Sequence, residues 1–283
     1  MERLRLPPTR VRDRSFGDDA PAIMGILNVT PDSFSDGGRF ADVDRAVEHA
    51  LQMQAEGADL IDVGGESTRP GSEGVSAEVE LARVLPVIQG IRRRSDVPLS
   101  IDTSKAEVAR AAVEAGAGVI NDITALAGDP AIAEVAAATG AGLVLMHMQG
   151  TPRTMQENPH YDDVVAEVRD YLAQRAAAAM AAGARREAIV IDPGIGFGKT
   201  MAHNLTLIRR LGALKETGFP VLLGASNKRF IGLITGRDDP GQRLWGTVGA
   251  HVAGAMLGAD IVRVHEVAPL REALAVADAV MGA

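Results

Sequence analysis

Polar residues of a few types recur at one kind of place in this chain, the end of a short apolar run. Asn28, Asp62, Asp102, Asn121 with Asp122, His147, Asp192, Ser226 with Lys228, and Arg263 with His265 all stand there. Aspartate and asparagine supply acceptors and amides, which suit the edge of a flat heterocycle rich in N–H groups. Lys228, Arg263 and Arg69 supply cations for an anionic group. Two glycine-rich polar stretches, NVTPDSFSDGGRF and GGESTRPGSEG, have the composition of loops that order over a ligand. Some of these residues also have a plain structural use. Asp62 can tie down the loop after it, His147 can cap its run, and Asp122 points opposite Asn121.

The elements that position these residues follow from hydrophobic patterning. Apolar runs begin at Ala22, Ala58, Val97, Ala117, Ala141, Glu187, Phe219 and Ala259, and each reads as a parallel strand covered on both faces. Between most of them lie helical segments. Val43, Ala46, Val47, Ala50 and Leu51 recur at helical spacing, with Gly57 as a stop. Ser104 and Glu107 have capping-box spacing, Asp129-Pro130 reads as an N-cap followed by proline, and 164–182 is alanine-rich and helical. Eight β-then-α units predict an α/β fold, a single (β/α)8 TIM barrel over residues 21–283, after an N-terminal arm over 1–20. An open dinucleotide-binding sheet would carry GxGxxG after its first strand, where this chain reads GILNVT. In a barrel, functional residues gather at the C-terminal strand ends, and the residues above occupy those positions in every unit. Arg263 and His265 share one face of the last strand, with Val262 and Val264 on the other.

Composition narrows the chemistry. The 283 residues carry a net charge of −8, which speaks against a nucleic-acid or anionic-membrane surface, and no apolar run approaches a membrane span. The chain contains no cysteine, so disulfides, thiolate nucleophiles and sulfur-bound metals are excluded and a cytoplasmic setting is expected. The run GIGFGKT, 194–200, is one residue short of a phosphate-binding Walker loop. The histidines lack zinc spacing, so His49, His160, His203 and His251 read as solvated or structural. No GxSxG elbow supports a hydrolytic triad.

Taken in order, MGILNVTPDSFSDGGRF, IDVGGESTRPG, SIDTSK, GVINDIT, DPGIGFGK, GASNKRFIG and ADIVRVHEV closely resemble the dihydropteroate synthase family from about Ala22 to the C-terminus. The resemblance implies a homodimeric (β/α)8 barrel that joins 6-hydroxymethyl-7,8-dihydropterin diphosphate to p-aminobenzoate in folate biosynthesis, a sulfonamide target. It implies pterin contacts from Asp102, Asn121, Asp192 and Lys228, with Met146, Phe197 and Gly224 lining the slot. It places Mg²⁺ on Asn28 with the diphosphate, an anion site at Arg263 and His265, Thr68 and Arg69 on the second lid, and Ser226 near p-aminobenzoate. Asp36, in the first lid, is expected to stabilise a developing cation. Two departures stand out: Asn227 where the family commonly has arginine, and Glu266 where it has aspartate. A methyltetrahydrofolate methyltransferase barrel and a non-catalytic paralogue are the competing readings. The first needs no diphosphate group, and the second would have lost Lys228, Arg263 or a lid motif.

Overall fold

The computed structural model describes residues 9–11, 14–16, 20–30, 38–67, 71–72 and 74–282. Asp36, Thr68 and Arg69 lie outside them. A short antiparallel ribbon, β1 (Thr9–Val11) with β2 (Arg14–Phe16), comes first, inside the span expected to be an arm. It lies against the 3₁₀ turn Arg186–Ala188, at the end of the barrel remote from the strand C-termini.

Eight parallel strands follow: β3 (Ala22–Asn28), β4 (Leu60–Gly64), β5 (Leu99–Asp102), β6 (Val119–Asp122), β7 (Gly142–Met146), β8 (Ile189–Asp192), β9 (Leu222–Leu223) and β10 (Ile261–Val264). Their order is β8-β7-β6-β5-β4-β3-β10-β9. A parallel bridge from Ile191 to Val221 then joins β8 to β9 and closes the ring. The expected single barrel is what forms.

Side-chain parity explains both why the barrel holds together and where its chemistry sits. Ile23, Ile61, Ile101, Ile120, Leu145, Ile191, Leu223 and Val262 point outward into one large core shared with the helices. The alternate residues point inward. Their lower layer is apolar, built from Ala22, Met24, Leu60, Val119, Val144, Val190, Leu222 and Ile261. Two residues further along the same inward faces lie Asp62, Asn121, Met146, Asp192, Gly224 and Arg263. On β4, β6, β8 and β10 the inward-facing position thus changes from apolar to polar over about 7 Å of strand.

The helices are α1 (Gly38–Ala55), α2 (Ala77–Arg92), α3 (Ala106–Glu114), α4 (Ala131–Thr139), α5 (Val164–Ala181), α6 (Met201–Arg209), α7 (Leu211–Leu214), α8 (Arg229–Thr235), α9 (Leu244–Met256) and α10 (Val267–Gly282). One expected cap takes a different form. Ser104 and Glu107 make no capping box: α3 starts from Lys105, whose side chain does not cap it. Asp129, from the next unit, reaches across instead. Its Oδ2 accepts from Ala106 N at 2.8 Å and its Oδ1 from Ala131 N at 3.1 Å, so one carboxylate closes two helix N-termini. Among the described residues no helix is long and apolar enough to cross a membrane.

Candidate active site

The upper rim is assembled row by row. Cross-strand registry places Asn28 beside Gly64, Gly64 beside Asp102, and Asp102 beside Asn121, while Met146 lies beside Asp192. Gly64 leaves a gap in that row. A Cβ there would stand 3.5 Å from the Cβ of Asp102 and 3.8 Å from Asn28 Oδ1.

Arg263 organises the floor. From β10 it sends Nε to Asp62 Oδ2 at 2.6 Å and Nη2 to Asp102 Oδ2 at 2.8 Å. Asn121 Nδ2 donates to the same Asp62 oxygen at 2.9 Å. Asp62 therefore fixes both an arginine and an amide of the rim, and among the described residues it makes no hydrogen bond to the loop after it. The guanidinium expected as half of an anion site thus already holds two carboxylates of the rim. The inward register of Arg263 commits two of its donors, Nε and Nη2, to carboxylates.

Asp192 is buried, and its Oδ1 accepts from Gly194 N at 2.7 Å. Burial raises its carboxyl to about 6, against the pull of that hydrogen bond and of Lys228, Arg263 and Lys199. Gly224 lies beside it: a Cβ there would be 3.9 Å from Asp192 Oδ2. Burial lowers Lys228 to about 8, helped by the charge of Arg263 and opposed by Asp192 and Asp102. Its ammonium lies 4.1 Å from the centre of the Phe197 ring. Phe197 belongs to a small apolar cluster with Ile123, Met146 and Met155, which forms one wall of the mouth. Asp102 is also raised by burial, although Arg263 opposes this.

Ser226 is turned toward His265, with Oγ 2.8 Å from Nδ1, and it accepts from His265 N at 3.3 Å. Asn227 has left-handed backbone, φ 56°, and its carbonyl accepts from Arg243 Nη1 at 2.8 Å. Asp122 is structural, as its parity indicated. Its Oδ1 accepts from Thr124 N and Oγ1 and its Oδ2 from Leu126 N. His251 is a buried structural histidine, accepting from Ala225 N at 3.2 Å. His203 closes a capping box with Thr200 at the start of α6.

Lys199, set aside with the GIGFGKT run, is buried beside this site. Its Nζ lies 2.9 Å from both His147 Nδ1 and the Phe197 carbonyl oxygen. The signal that could have found it is a lysine inside an otherwise apolar segment, immediately after a strand-end aspartate.

Among the described residues no cluster of histidine, aspartate and glutamate is arranged to hold a metal ion. Asn28 offers a single amide oxygen at the rim. That donor suits a magnesium ion, which keeps most of its ligands as water and substrate phosphate oxygens.

Residues 24–265 match the family model described as pterin binding enzyme. The dihydropteroate synthase of Escherichia coli strain K12 is 49% identical over 93% of this chain and 93% of its own. A structure of Xanthomonas albilineans dihydropteroate synthase with 4-aminobenzoic acid superposes with a TM-score of 0.91 at 49% identity, covering 98% of this chain and 100% of that one. The same enzyme in complex with 7,8-dihydropteroate gives a TM-score of 0.88 at 47% identity, over the same shares of the two chains.

Proposed function

The chain belongs to the pterin binding enzyme family and, within it, to the dihydropteroate synthases, and from that premise we propose how its residues divide the work. The enzyme is a transferase that joins 6-hydroxymethyl-7,8-dihydropterin diphosphate to p-aminobenzoate, releasing diphosphate and 7,8-dihydropteroate. The methyltransferase and non-catalytic readings give way to it.

Asp192 accepts hydrogen bonds from the guanidine-like edge of the pterin, which needs the carboxylate in its ionised form. Asn121 presents its carbonyl oxygen, since its amide nitrogen is held by Asp62. Asp102 presents the oxygen that Arg263 leaves, and Lys228 donates to the ring from the Phe197 side. Arg263, fixed at two corners, offers a flat cationic face to one side of the ring, with Met146 and Phe197 on the other. The single observation that carries this reading is the convergence of Asp102, Asn121, Asp192 and Lys228 on one mouth, against that apolar wall.

Departure of diphosphate leaves positive charge on a carbon conjugated to the pterin, so the chain needs no nucleophile of its own. The rim supplies Asn28 as the holder of Mg²⁺, which when bound neutralises charge on the leaving diphosphate. His265 and Ser226, with Arg263 Nη1, face the anionic groups, and Ser226 also helps seat p-aminobenzoate. Thr68 and Arg69 are assigned to that approach and Asp36 to the developing cation. The barrel holds the two reactants in line, which replaces an encounter with an oriented attack.

We also assign a homodimer. On α10 the consecutive turns expose Val276, Val280 and Met281, and neighbouring α9 exposes Trp245, which is 76% accessible, and Gly249. An apolar face of this kind on an otherwise charged surface fits a second copy of the chain, and sedimentation at micromolar concentration reads it directly. The cytoplasm is the compartment we assign.

The deciding assay supplies purified protein, Mg²⁺, the pterin diphosphate and p-aminobenzoate and looks for dihydropteroate. Diphosphate release without the amine separates ionisation from coupling. A pterin ring found in a soaked crystal away from Asp192 overturns the assignment of residues.

A further inference from the structure

Lys199 is among the most buried charged side chains described, at 3% accessibility, and its hydrogen-bond partners are neutral. Its Nζ donates to the Phe197 carbonyl oxygen at 2.9 Å and to the His147 carbonyl oxygen at 3.4 Å, and meets His147 Nδ1 at 2.9 Å. The Tyr161 ring centre lies 5.9 Å away. Among the described residues no carboxylate lies within ion-pairing distance of it. A lysine that only tied the loops after β7 and β8 together would bury a charge for hydrogen bonds that a neutral amide could make equally well.

We propose that Lys199 is a positioning residue whose ammonium, seated behind the pterin slot, keeps the Asp192 carboxylate ionised and so ready to accept the pterin edge. The proposal rests on the reading that Asp192 holds the pterin. The chain of contacts is short. His147, whose ring meets Lys199, donates its backbone N–H to the carbonyl oxygen of Asp192 at 2.9 Å, and Gly194 ties the carboxylate of Asp192 to the same turn.

Charged groups act on the pair from several elements. Asp192, on β8, feels Lys228 at the start of α8, Arg263 on β10 and Lys199 itself. Lys199 meets His147 after β7 and lies near Tyr161 ahead of α5, and it feels the charges of Asp192 on β8 and of Lys228. It also acts on His203 of α6, and Glu167 of α5 acts on both His203 and Tyr161. Burial and the adjacent ammonium push His147 down to about 3, so its ring is neutral and Nδ1 can accept from Lys199. Burial lowers Lys199 to about 7, while Asp192 pulls the other way. The sign is fixed: the cation favours the anionic form of Asp192, and its loss must raise the pH at which that carboxylate ionises.

The test measures binding of 6-hydroxymethylpterin, which carries no diphosphate, by calorimetry from pH 5 to 8. Wild type, Lys199→Gln and Lys199→Met are compared, with a thermal melt of each. Glutamine keeps an N–H donor without the charge, and either variant that folds suffices. Wild-type affinity should fall as pH drops through about 6. In the variants that acid limb should move up by about one pH unit, so binding is about fivefold weaker at pH 6 and converges on wild type near pH 8. A limb that stays in place, or a loss of the same factor at every pH, overturns the proposal. Asp192→Asn separates the two layers of argument. If that variant binds the pterin as tightly as wild type, the assignment of Asp192 fails, and the idea about Lys199 with it.

Discussion

Along β8, Val190 faces the barrel axis among apolar neighbours, and Asp192, two residues on, faces the same axis among charges. The same step recurs from Leu60 to Asp62 on β4, Val119 to Asn121 on β6 and Ile261 to Arg263 on β10. The lower level is buried throughout and the upper one largely so, with Asp62, Asn121 and Asp192 buried and Arg263 part-exposed, but burial has opposite consequences in the two. Below, it removes apolar surface from water and stabilises. Above, it strips water from carboxylates and ammonium groups, raising Asp192 and lowering Lys228 and Lys199. Oδ1 of Asp62 and Oγ of Ser100, buried at adjoining positions on β4 and β5, have no hydrogen-bond partner among the described residues. The upper layer is thus kept at a cost in stability that the lower layer and the surrounding helices offset. A substitution above should move activity more than stability, and a substitution below should do the reverse.

The largest expected effect tests the upper layer. Asp192→Asn should lower kcat/KM for the pterin diphosphate about a thousandfold, because a site built to accept two N–H donors is left with an amide. The melt should not fall with it. Asp192 ionises near 6 when folded, above its unfolded value, so its contribution to stability is complete below about 4 and is lost as pH rises through 6. At pH 7.5 the wild type carries that penalty, at most about 3 kcal/mol, partly offset because Lys199 and Lys228 gain an anion. The variant's Tm should therefore match or exceed that of wild type. A large drop in Tm would erase the contrast between layers.

The lower layer should answer in the opposite sense. Leu60→Ala opens a cavity in the apolar layer and should cost about 3 kcal/mol in chemical denaturation. Its KM for pterin should stay within about twofold of wild type, since Asp62 is held from Arg263 and Asn121, above the cavity. The pH profile then sharpens the comparison without any substitution. kcat/KM for the pterin should rise as Asp192 ionises through about 6 and fall as Lys228 loses its proton through about 8. Over that bell the change is about tenfold at pH 5, and the flanks identify which group sets each limb.

Much of this was legible in the residues. Strands buried on both faces read as unbroken apolar runs, and parity along them separates Asn121 from Asp122 and sets Arg263 on the face opposite Val262 and Val264, as the barrel does. The partnerships across the barrel were not legible. Arg263 and Asp62 are 201 residues apart, and only closure of the ring through β10 and β3 brings the guanidinium onto that carboxylate. Nothing local marks Asp129 as the cap of α3, because the vacant N–H belongs to the preceding unit. Lys199 was hidden for another reason. Its segment approximates a phosphate loop without completing one, and only its burial beside His147 and Phe197 distinguishes the lysine.

The smallest expected effect concerns Asn227, at the outer edge of the upper layer, where the contrast between burial and solvent is weakest. The residue sits at φ 56°, a conformation asparagine tolerates better than most side chains. Thr247 Oγ1 donates to its Oδ1 at 3.1 Å and accepts from its N–H at 3.0 Å. Asn227→Arg keeps the backbone bond and loses the side-chain bond, so it should cost about 1 kcal/mol in stability. The new guanidinium would meet the carboxylate of p-aminobenzoate close to solvent, where an ion pair contributes at most about 1 kcal/mol. KM for p-aminobenzoate should therefore fall about threefold at low ionic strength, and the gain should vanish in 0.5 M salt, where charges are screened beyond about 4 Å. KM for the pterin should not move, because Lys228 next door is set by Phe197 and Asp192 rather than by its neighbour's side chain. A change in the pterin KM instead would show that the turn at 227 transmits into the buried layer, and the boundary between the two regimes would have to be drawn further out.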